Sequence, residues 1–282
     1  MVWNDTAYSH LVYDDQQKDL VLSFVESHNL THRKTDGTAV APKAPMEDVI
    51  IGKGQGLIIL LSGPPGTGKT LTAEAVADRT HRPLFYLQAE DLGISAAALG
   101  ANVKRVFEMA TDWDAVILLD EADVFMAERN PNDIHRNELV SIFLRELEYF
   151  RGIIFLTTNL YHTIDTAFRS RVSLHLLFKP LGAPARETVW RKFLQRLPDR
   201  SQKLLADQSG GEASAKPLDD EDIKELSLWQ LNGREIKNAV KMVRAWCDHK
   251  DYSMTLDKLE SGIRVTNPHA NKEGDVDKDL YD

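Results

Sequence analysis

The sequence predicts an α/β protein in which a parallel sheet flanked by helices is followed by a smaller, all-helical domain. Between residues 57 and 178, short apolar runs alternate with longer mixed segments, which is typical of parallel strands covered by helices. Beyond Pro180 these runs stop and helix-like segments follow one another. The length of 282 residues also favours a main domain with a second, smaller one.

The first part of the chain is expected to be an N-terminal segment over residues 1–48, with an amphipathic helix within 13–29 and an irregular linker over 31–47. The α/β core is expected over residues 49–182. Its strands are predicted at 57–61, 84–87, 115–119, 153–156 and 173–178. Its helices are predicted at 70–80, 102–110 and 137–149.

The small helical domain is expected over residues 183–266, with helices at 185–196, 219–226 and 233–248. A segment rich in Ser, Gly and Ala near 207–216 is predicted to be a flexible insertion in this domain. Residues 267–282 are polar and acidic, and we expect them to form a loose tail.

The composition favours an intracellular protein without a nucleic-acid partner. The net charge of −9 gives no general attraction to nucleic acid or anionic lipid. Cys247 is the only cysteine, so the chain forms no internal disulfide and no thiolate metal cluster, which fits the cytoplasm or nucleus better than secretion. Residues 1–15 lack a signal-peptide pattern, and no apolar run approaches the ~20 residues that cross a bilayer.

Residues 63–70 read GPPGTGKT and match the phosphate-binding pattern G-x-x-x-x-G-K-[ST] of P-loop NTPases. The match is specific because an apolar strand precedes it and a helix follows it. Backbone N–H groups of such a loop surround phosphate oxygens, Lys69 neutralises the terminal phosphates, and Thr70 offers a hydroxyl to Mg²⁺. The predicted ligands are therefore ATP and Mg²⁺, and the predicted nucleotide contacts of this segment are Gly63, Pro64, Pro65, Gly66, Thr67, Gly68, Lys69, Thr70 and Leu71.

Asp120 and Glu121 follow the apolar run 115–119, where a parallel sheet presents its ligand-binding edge. Asp120 is predicted to bind Mg²⁺ together with Thr70, and Glu121 to polarise the attacking water. Taken alone, the pair could equally be a solvated strand end with helix-capping acids. The phosphate loop upstream favours the catalytic interpretation, and the adjacent glutamate favours hydrolysis over phosphate transfer to a hydroxyl.

Polar residues in three later segments are candidates for the same site. Asn159 follows the apolar strand at 153–156 and is predicted to orient the lytic water or contact the γ-phosphate, although Thr-Asn after a strand is more often only a turn. Arg169 and Arg171 lie in a segment predicted to be exposed, and in a ring one of them, preferably Arg171, would reach a neighbour's nucleotide. Arg234 is either a solvated helix-start residue or a phosphate contact within its own chain.

In their order and spacing these residues resemble the AAA+ ATPases. The segments 118–125 (LLDEADVF) and 232–239 (NGREIKNA) are most similar to AAA proteins of filamentous fungi, and the resemblance covers about residues 3–247. It implies that the small helical domain is a lid and that the protein forms a hexameric ring with a nucleotide at each subunit interface. The implied roles are Walker A for Lys69 and Thr70, Walker B for Asp120 and Glu121, sensor 1 for Asn159, arginine finger for Arg171 and sensor 2 for Arg234.

The sequence thus predicts an ATPase that converts ATP and water to ADP and phosphate, with Lys69, Glu121, Asn159 and Arg171 as catalytic residues. The free energy of ATP hydrolysis would drive the remodelling of an unidentified macromolecular client. Two alternatives stay open. One is a nucleotide-gated assembly scaffold with little turnover. It stays possible because the arginine segment 168–171 is shorter than in many members of the family that the chain resembles. The other is a P-loop small-molecule kinase, which the paired sensors and the lid disfavour.

Overall fold

A computed structural model of the chain describes residues 3–4, 6–32, 54–93, 95–160, 164–196 and 218–273. Most of the expected linker, the whole expected insertion at 207–216 and residues 274–282 of the expected tail lie outside these ranges. The chain divides into two compact units. The first comprises Met1–Pro64 and Gly68–Lys179, and the second comprises Pro65–Thr67 and Pro180–Asp282.

The first unit contains a five-stranded sheet in the order β2-β3-β4-β1-β5, and every neighbouring pair runs parallel. All five predicted strands are confirmed, with bounds that differ by one or two residues. The strands are Leu57–Ser62 (β1), Leu84–Gln88 (β2), Val116–Asp120 (β3), Ile153–Thr158 (β4) and Leu174–Leu177 (β5). Because β3, β4 and β1 are interior strands covered on both faces, they read as continuous apolar runs.

Helices surround this sheet. They are Asp15–His32 (α1), Lys69–Arg79 (α2), Ala89–Leu92 (α3), Ala96–Asp112 (α4), Asp123–Met126 (α5), Ile134–Tyr149 (α6) and Thr166–Arg169 (α7), preceded by a 3₁₀ turn at Tyr8–His10. The N-terminal helix is confirmed, and it continues to His32, three residues beyond the predicted end.

Alternate residues of the strands belong to two separate hydrophobic clusters, one on each face of the sheet. On one face Val21 and Val25 of α1 and Val76 of α2 pack with Ile59 and Phe155. The other face packs against α4 and α6, and its cluster includes Leu60, Leu119, Leu156, Val103 and Phe143. Burying one such aliphatic side chain contributes about 1.5–3 kcal/mol, so both layers of helices stabilise the strand ends that carry the polar residues.

The predicted bounds of the helix at 102–110 were wrong, because α4 begins six residues earlier, at Ala96. Ser95 caps it by accepting a hydrogen bond from the N–H of Ala98 at 3.4 Å. Gly100, which weakens the helical pattern, allows close packing on α6, since an added Cβ would lie 3.4 Å from Ile142 Cγ2. Packing between helices therefore overrides the low helix propensity of glycine here.

The described part of the second unit is built from the helices Ala183–Gln195 (α8), Asp220–Ser227 (α9), Gly233–Lys250 (α10) and Leu256–Thr266 (α11). Three of them were predicted, and α11 was missed. Its interior glycine, Gly262, is a poor helix former but lets α11 lie directly against Val243 of α10. Along the described part of the chain, no helix combines the length and apolar character needed to cross a membrane.

Residues 271–273, within the segment expected to be a loose tail, are bound to the helices of the second unit. Arg186 of α8 is buried; it donates to the carbonyl oxygen of Ser227 at 2.7 Å and pairs with Glu273. Lys272 lies 2.8 Å from Glu260 of α11. A buried arginine that lost its carboxylate partner would be costly, so this short segment is part of the folded unit.

Replacing Gly262 by alanine is expected to destabilise the protein, although alanine is the better helix former by about 1 kcal/mol. An added Cβ would lie 2.1 Å from Val243 Cγ2, and overpacking of this kind typically costs about 1–3 kcal/mol. The thermal midpoint of Gly262→Ala should fall below that of the wild type. Ser261→Ala, at an exposed position of the same helix, is the control and should not lower it. A midpoint of Gly262→Ala at or above the wild-type value would contradict the close packing.

Candidate functional site

The loop 63–70 joins β1 to α2, and Gly63, Gly66 and Gly68 in it have positive φ angles of 142°, 73° and 100°. Gly63 has no room for a side chain, because an added Cβ would lie 2.1 Å from the carbonyl oxygen of Phe178. At Gly68 an added Cβ would meet nothing within 4 Å, so the requirement there is conformational. The glycines of the predicted phosphate loop are thus required by its backbone path.

The amino end of α2 suits an anionic group. Gly68 caps this helix and has no side chain that accepts from its first N–H groups. The first turn also contains no acidic residue. Because the first N–H groups of a helix point outward and its dipole attracts negative charge, a phosphate fits this end of α2.

Lys69 lies inside the loop, with only 7% of its surface exposed. Its Nζ donates to the carbonyl oxygens of Gly63 and Pro64, both at 2.7 Å, and to Asn159 Oδ1 at 2.8 Å. These three oxygens are neutral, whereas a buried ammonium is stabilised more by anionic acceptors. Phosphate oxygens are therefore suitable partners for Lys69 at this position.

Thr70 of α2 and Asp120 of β3 bring two oxygen-bearing side chains together. Thr70 Oγ1 donates to the two carboxylate oxygens of Asp120 at 3.2 and 3.3 Å. In the ranges that the structure describes, no group of three or more His, Cys, Asp or Glu residues could hold a metal. A hydroxyl beside one carboxylate fits Mg²⁺, which binds few protein oxygens and keeps water and phosphate ligands. This geometry suits the predicted magnesium site.

Glu121 leaves the sheet directly after Asp120. Its φ of 53° lies in the left-handed region, which is uncommon for a residue with a side chain. Its N–H donates to Thr157 Oγ1 at 3.0 Å, and the side chain is exposed. Glu121 therefore stays beside the carboxylate of Asp120 but is open to water, the reactant that it is predicted to polarise.

Asn159 follows β4, which lies between β3 and β1 in the sheet. Its Oδ1 accepts the hydrogen bond from Lys69. The alternative interpretation was a simple turn. A turn is present at the preceding residue, because Thr158 Oγ1 accepts a hydrogen bond from the N–H of Leu160 at 2.9 Å. A turn alone does not account for the contact between Asn159 and Lys69, which links this strand end to the loop.

The arginine pair lies elsewhere in the first unit. Arg171 Nη1 donates to the carbonyl oxygen of Ala167 at 2.7 Å, and its Nη2 lies 3.7 Å from Glu148 Oε2. Glu148 belongs to the end of α6, which leads into the amino end of β4, whereas Asp120 lies at a carboxyl end. Arg171 is therefore not brought to the carboxyl edge of its own sheet. Arg169 is exposed at the end of α7.

Arg234 lies in the second unit, in the first turn of α10, and its side chain is exposed. Asn232 caps this helix by accepting from the N–H groups of Arg234 and Glu235, both at 3.0 Å. Glu235 in turn accepts from the N–H of Asn232 at 2.7 Å. Within the same unit the N–H of Gly233 donates to the carbonyl oxygen of Gly66 at 2.9 Å. The helix start that carries Arg234 is thus fixed by a capping box.

The other predicted nucleotide contacts differ in exposure. Thr67 is buried, Pro64 is half-buried, and Pro65 and Leu71 are exposed. Leu71 has 47% of its surface exposed, although it lies in α2 next to the loop. An exposed leucine at this place provides apolar surface that a nucleotide base can cover.

Two hydroxyl-bearing residues that the sequence did not single out contact Asp120. Thr157 Oγ1 donates to Asp120 Oδ1, and Tyr86 OH lies 3.2 Å from Asp120 Oδ2. The hydroxyls that end the apolar run at 153–156 were a signal for Thr157, but only the strand order shows which residue they face. Tyr86 gave no signal, because tyrosine is common in strands for reasons of packing alone.

Asp165 anchors α7, the helix that carries Arg169, and only 3% of its surface is exposed. Its carboxylate accepts from the N–H of Ala167 and from Arg129 Nε, both at 2.8 Å. Burial raises the pKa of Asp165, but the hydrogen bonds from Arg129 and Ala167 outweigh it and hold the pKa below its usual value. The ionised carboxylate therefore stabilises the fold of this segment.

The sequence matches one family model over residues 59–180, described as "ATPase family associated with various cellular activities (AAA)". This region includes most of the sheet and the predicted site residues from Gly63 to Arg171, and it ends before Arg234.

Relatives with curated descriptions match a larger part of the chain. A "putative 26S proteasome regulatory subunit homolog" of Methanothermobacter thermautotrophicus is 27% identical over 216 residues, 71% of this chain and 55% of that protein. The "ATP-dependent zinc metalloprotease FtsH 1" of Petrotoga mobilis is 30% identical over 220 residues, 72% of this chain and 32% of that protein. The "ATP-dependent zinc metalloprotease YME1 homolog" of Caenorhabditis elegans is 26% identical over 227 residues, which are 76% of this chain and 31% of that protein. The chain thus spans about half the length of the first relative and about a third of the other two.

Replacing Asp165 by asparagine is expected to lower the free energy of unfolding at pH 7 by about 1–3 kcal/mol, because it removes a buried, charged acceptor. The pKa of Asp165 is lower in the folded than in the unfolded chain. Its contribution is therefore complete above the unfolded value of about 4 and is lost as the pH falls through the folded value.

Urea unfolding at pH 7 and at stepwise lower pH measures this difference between wild type and Asp165→Asn, which should narrow as the pH falls. Asp112→Asn, at an exposed position, is the matched control and should resemble the wild type at each pH. A difference that is absent at pH 7, or that grows on acidification, would contradict the assigned direction of the pKa shift.

Proposed function

The chain carries a domain of the AAA family of ATPases, and from this premise we propose that it binds ATP with Mg²⁺ and hydrolyses it to ADP and phosphate. The observation that most directly supports the proposal is the meeting of three strand ends. Lys69 bonds to Asn159 at 2.8 Å, and Thr70 bonds to Asp120 at 3.2 Å, with Glu121 next in the chain. The groups proposed to bind phosphate, to hold the metal and to polarise water thus share one edge of the sheet.

Binding would depend on the loop and the groups beside it. The N–H groups at the amino end of α2 and the ammonium of Lys69 would bind the β- and γ-phosphates. Thr70 and Asp120 would hold Mg²⁺, which when bound supplies positive charge to the phosphate oxygens. Gly63, Pro64, Pro65, Gly66, Thr67, Gly68 and Leu71 would form the rest of the nucleotide contact, and Arg234 is proposed as a further phosphate contact.

Hydrolysis would depend on Glu121 and Asn159. Glu121 would accept a hydrogen bond from a water whose oxygen bonds to the γ-phosphorus while the bond from that phosphorus to ADP breaks. The amide of Asn159, already beside Lys69, would orient that water or contact the γ-phosphate. Lys69 would stabilise the charge that develops on the phosphate oxygens.

We further propose that each site is completed by another copy of the chain in a ring, with six copies by family resemblance. Arg171 lies near the amino ends of the strands and is bonded to Ala167 and Glu148. Reaching the catalytic edge of its own sheet would require it to cross that sheet, whereas a neighbouring subunit can present it from outside. An arginine supplied from a second molecule typically accelerates phosphate hydrolysis by about 10³–10⁵-fold.

The work of the ATP cycle is proposed to be the remodelling of a macromolecular client. The relatives are described as a proteasome regulatory subunit homolog and as zinc metalloproteases. A protein client is favoured over a nucleic acid because the chain has a net charge of −9. The 282 residues contain no H-E-x-x-H zinc motif, so proteolysis by this chain is not part of the proposal. We place this activity inside the cell, in the cytoplasm or nucleus.

One observation supports a second candidate function, a nucleotide-gated scaffold that assembles on ATP and turns it over slowly. Arg171 is partly buried and held by Ala167 and Glu148 of its own chain. If it kept those contacts in the assembly, the nucleotide would lack a transition-state arginine and hydrolysis would be slow.

Replacing Glu121 by glutamine is expected to preserve ATP binding and to lower turnover by about 10²–10⁴-fold, because the amide is a much weaker base than the carboxylate. Binding is measured by calorimetry, and turnover by phosphate release. Glu128→Gln makes the same change at a nearby exposed residue and should retain wild-type turnover. Unchanged turnover of Glu121→Gln would remove Glu121 as the catalytic base.

Mixing two inactive variants tests whether the site is shared between copies. Arg171→Ala and Glu121→Gln should each bind ATP but hydrolyse it poorly when pure. In mixed rings some sites combine Glu121 of one variant with Arg171 of the other, so the mixture should release more phosphate than the sum of its parts.

Size-exclusion data with and without ATP verify that the variants co-assemble. Arg169→Ala, mixed with Glu121→Gln in the same way, is the matched comparison for the choice between the two arginines. Co-assembly without any gain in turnover would contradict a shared site. Full activity of pure Arg171→Ala together with a recoverable defect of Arg169→Ala would assign the role to Arg169.

A further inference from the structure

Thr157 on β4 lies opposite Asp120 on β3. The paired positions of the two strands run up to Leu119 and Leu156, and the next residues along are Asp120 and Thr157. In parallel strands at this register, the two side chains point to the same face of the sheet. That face is the one covered by α2, which contributes Thr70 to the same carboxylate. Thr157 is therefore placed to act on the metal-binding group.

The Thr157 hydroxyl both donates and accepts a hydrogen bond. It donates to Asp120 Oδ1 and accepts from the N–H of Glu121 at 3.0 Å. Its carbonyl oxygen accepts from the N–H of Ala122, also at 3.0 Å. One residue thus contacts three successive positions, which include the predicted metal ligand and the predicted base. Only 1% of Thr157 is exposed, so water is a poor substitute for these bonds.

The hydrogen bond from the N–H of Glu121 to Thr157 stabilises an unusual backbone conformation. Glu121 has a φ of 53°, where a side chain is disfavoured and the surrounding structure must hold the residue in place. The hydroxyl of Thr157 supplies the acceptor for its N–H in that conformation. The turn that places Glu121 beside Asp120 is therefore fixed from β4.

A second hydroxyl approaches Asp120 from the other neighbouring strand. Tyr86 of β2 is paired with Leu118, two residues before Asp120, and so points to the same face. Its OH lies 3.2 Å from Asp120 Oδ2, and Gln88 Nε2 donates to that OH at 3.3 Å. The two carboxylate oxygens are thus held from opposite sides, by Thr157 and by Tyr86.

We propose that Thr157 is a positioning residue that fixes both the magnesium-binding carboxylate of Asp120 and the backbone of Glu121, with Tyr86 supporting the same carboxylate. The proposal rests on the proposed ATPase function. Thr157 acts through Asp120 and Glu121, and Tyr86 acts through Asp120. Residues that orient a metal ligand in this way typically change metal affinity or activity by about 10–100-fold when they are replaced.

The test uses Thr157→Val, which keeps the branched shape and removes the hydroxyl, and Thr157→Ser, which keeps the hydroxyl. ATP binding is titrated against Mg²⁺ and measured separately in EDTA, with a fluorescent ATP analogue. Thr157→Val is expected to raise the Mg²⁺ concentration for half-maximal binding by about 10–100-fold, with binding in EDTA unchanged. Its kcat should fall, and Thr157→Ser should restore both quantities towards the wild type.

Thr158→Val is the matched control, because Thr158 is equally buried and its hydroxyl bonds to Asp123 and not to Asp120. It should keep the wild-type Mg²⁺ dependence even if its thermal midpoint falls as much as that of Thr157→Val. Tyr86→Phe is the second test, since Tyr86 is 46% exposed and its replacement leaves the core intact. It should raise the Mg²⁺ requirement in the same direction as Thr157→Val.

The outcomes separate this proposal from the proposed function. A wild-type protein that binds and hydrolyses ATP, with Thr157→Val and Tyr86→Phe folded and unchanged in their Mg²⁺ dependence, would overturn the positioning role alone. A wild-type protein that neither binds nor hydrolyses ATP would contradict the ATPase function, and the positioning role would fail with it. If Thr157→Val does not fold, Tyr86→Phe decides: an increased Mg²⁺ requirement of Tyr86→Phe supports the positioning of Asp120, and wild-type Mg²⁺ dependence counts against the proposal.

Discussion

Parallel pairing of β1, β3 and β4 brings the carboxyl ends of three buried strands to one edge of the sheet. Lys69 lies beyond the first of these ends, Asp120 and Glu121 lie at the second, and Asn159 follows the third. Because β4 lies between the other two, Asn159 reaches Lys69 while Thr157 reaches Asp120. Another strand order would separate groups that are ninety residues apart in the chain. The candidate site is in this sense a consequence of the order of the strands.

The polar groups at this edge already bond to one another before a nucleotide is considered. The ammonium of Lys69 donates to the carbonyl oxygens of Gly63 and Pro64 and to Asn159. The carboxylate of Asp120 accepts from Thr70, Thr157 and Tyr86. Buried polar groups require such partners, since each one left without a hydrogen bond costs about 1–3 kcal/mol. Because these side chains are already held in place by hydrogen bonds, a ligand would replace some of those bonds without moving the side chains far. Preorganised sites avoid a large cost of reorganisation in this way.

Features encoded by neighbouring residues could be predicted from the sequence, whereas features that depend on register could not. The phosphate loop at 63–70 and the acidic pair at Asp120 are local patterns. As expected, the loop lies between a strand and a helix, and the acidic pair comes at the end of a buried strand. The role of Thr157 depends on which strand lies beside β3, and the sequence does not show strand order. Arg171 was predicted to lie in an exposed segment, but it is partly buried and its contacts come from α6 and α7. The helix α11 was missed because a glycine lowers local helix propensity, while tertiary packing against Val243 favours it.

The most direct test of this account is phosphate release by the wild-type protein in a single turnover, with ATP bound in advance and Mg²⁺ added last. The account predicts that ATP remains intact in EDTA and that phosphate appears once Mg²⁺ is added, because the carboxylate and hydroxyl at the sheet edge can then hold the metal against the phosphates. ATP that stays bound and intact at saturating Mg²⁺, in a protein that has assembled as proposed, would contradict it.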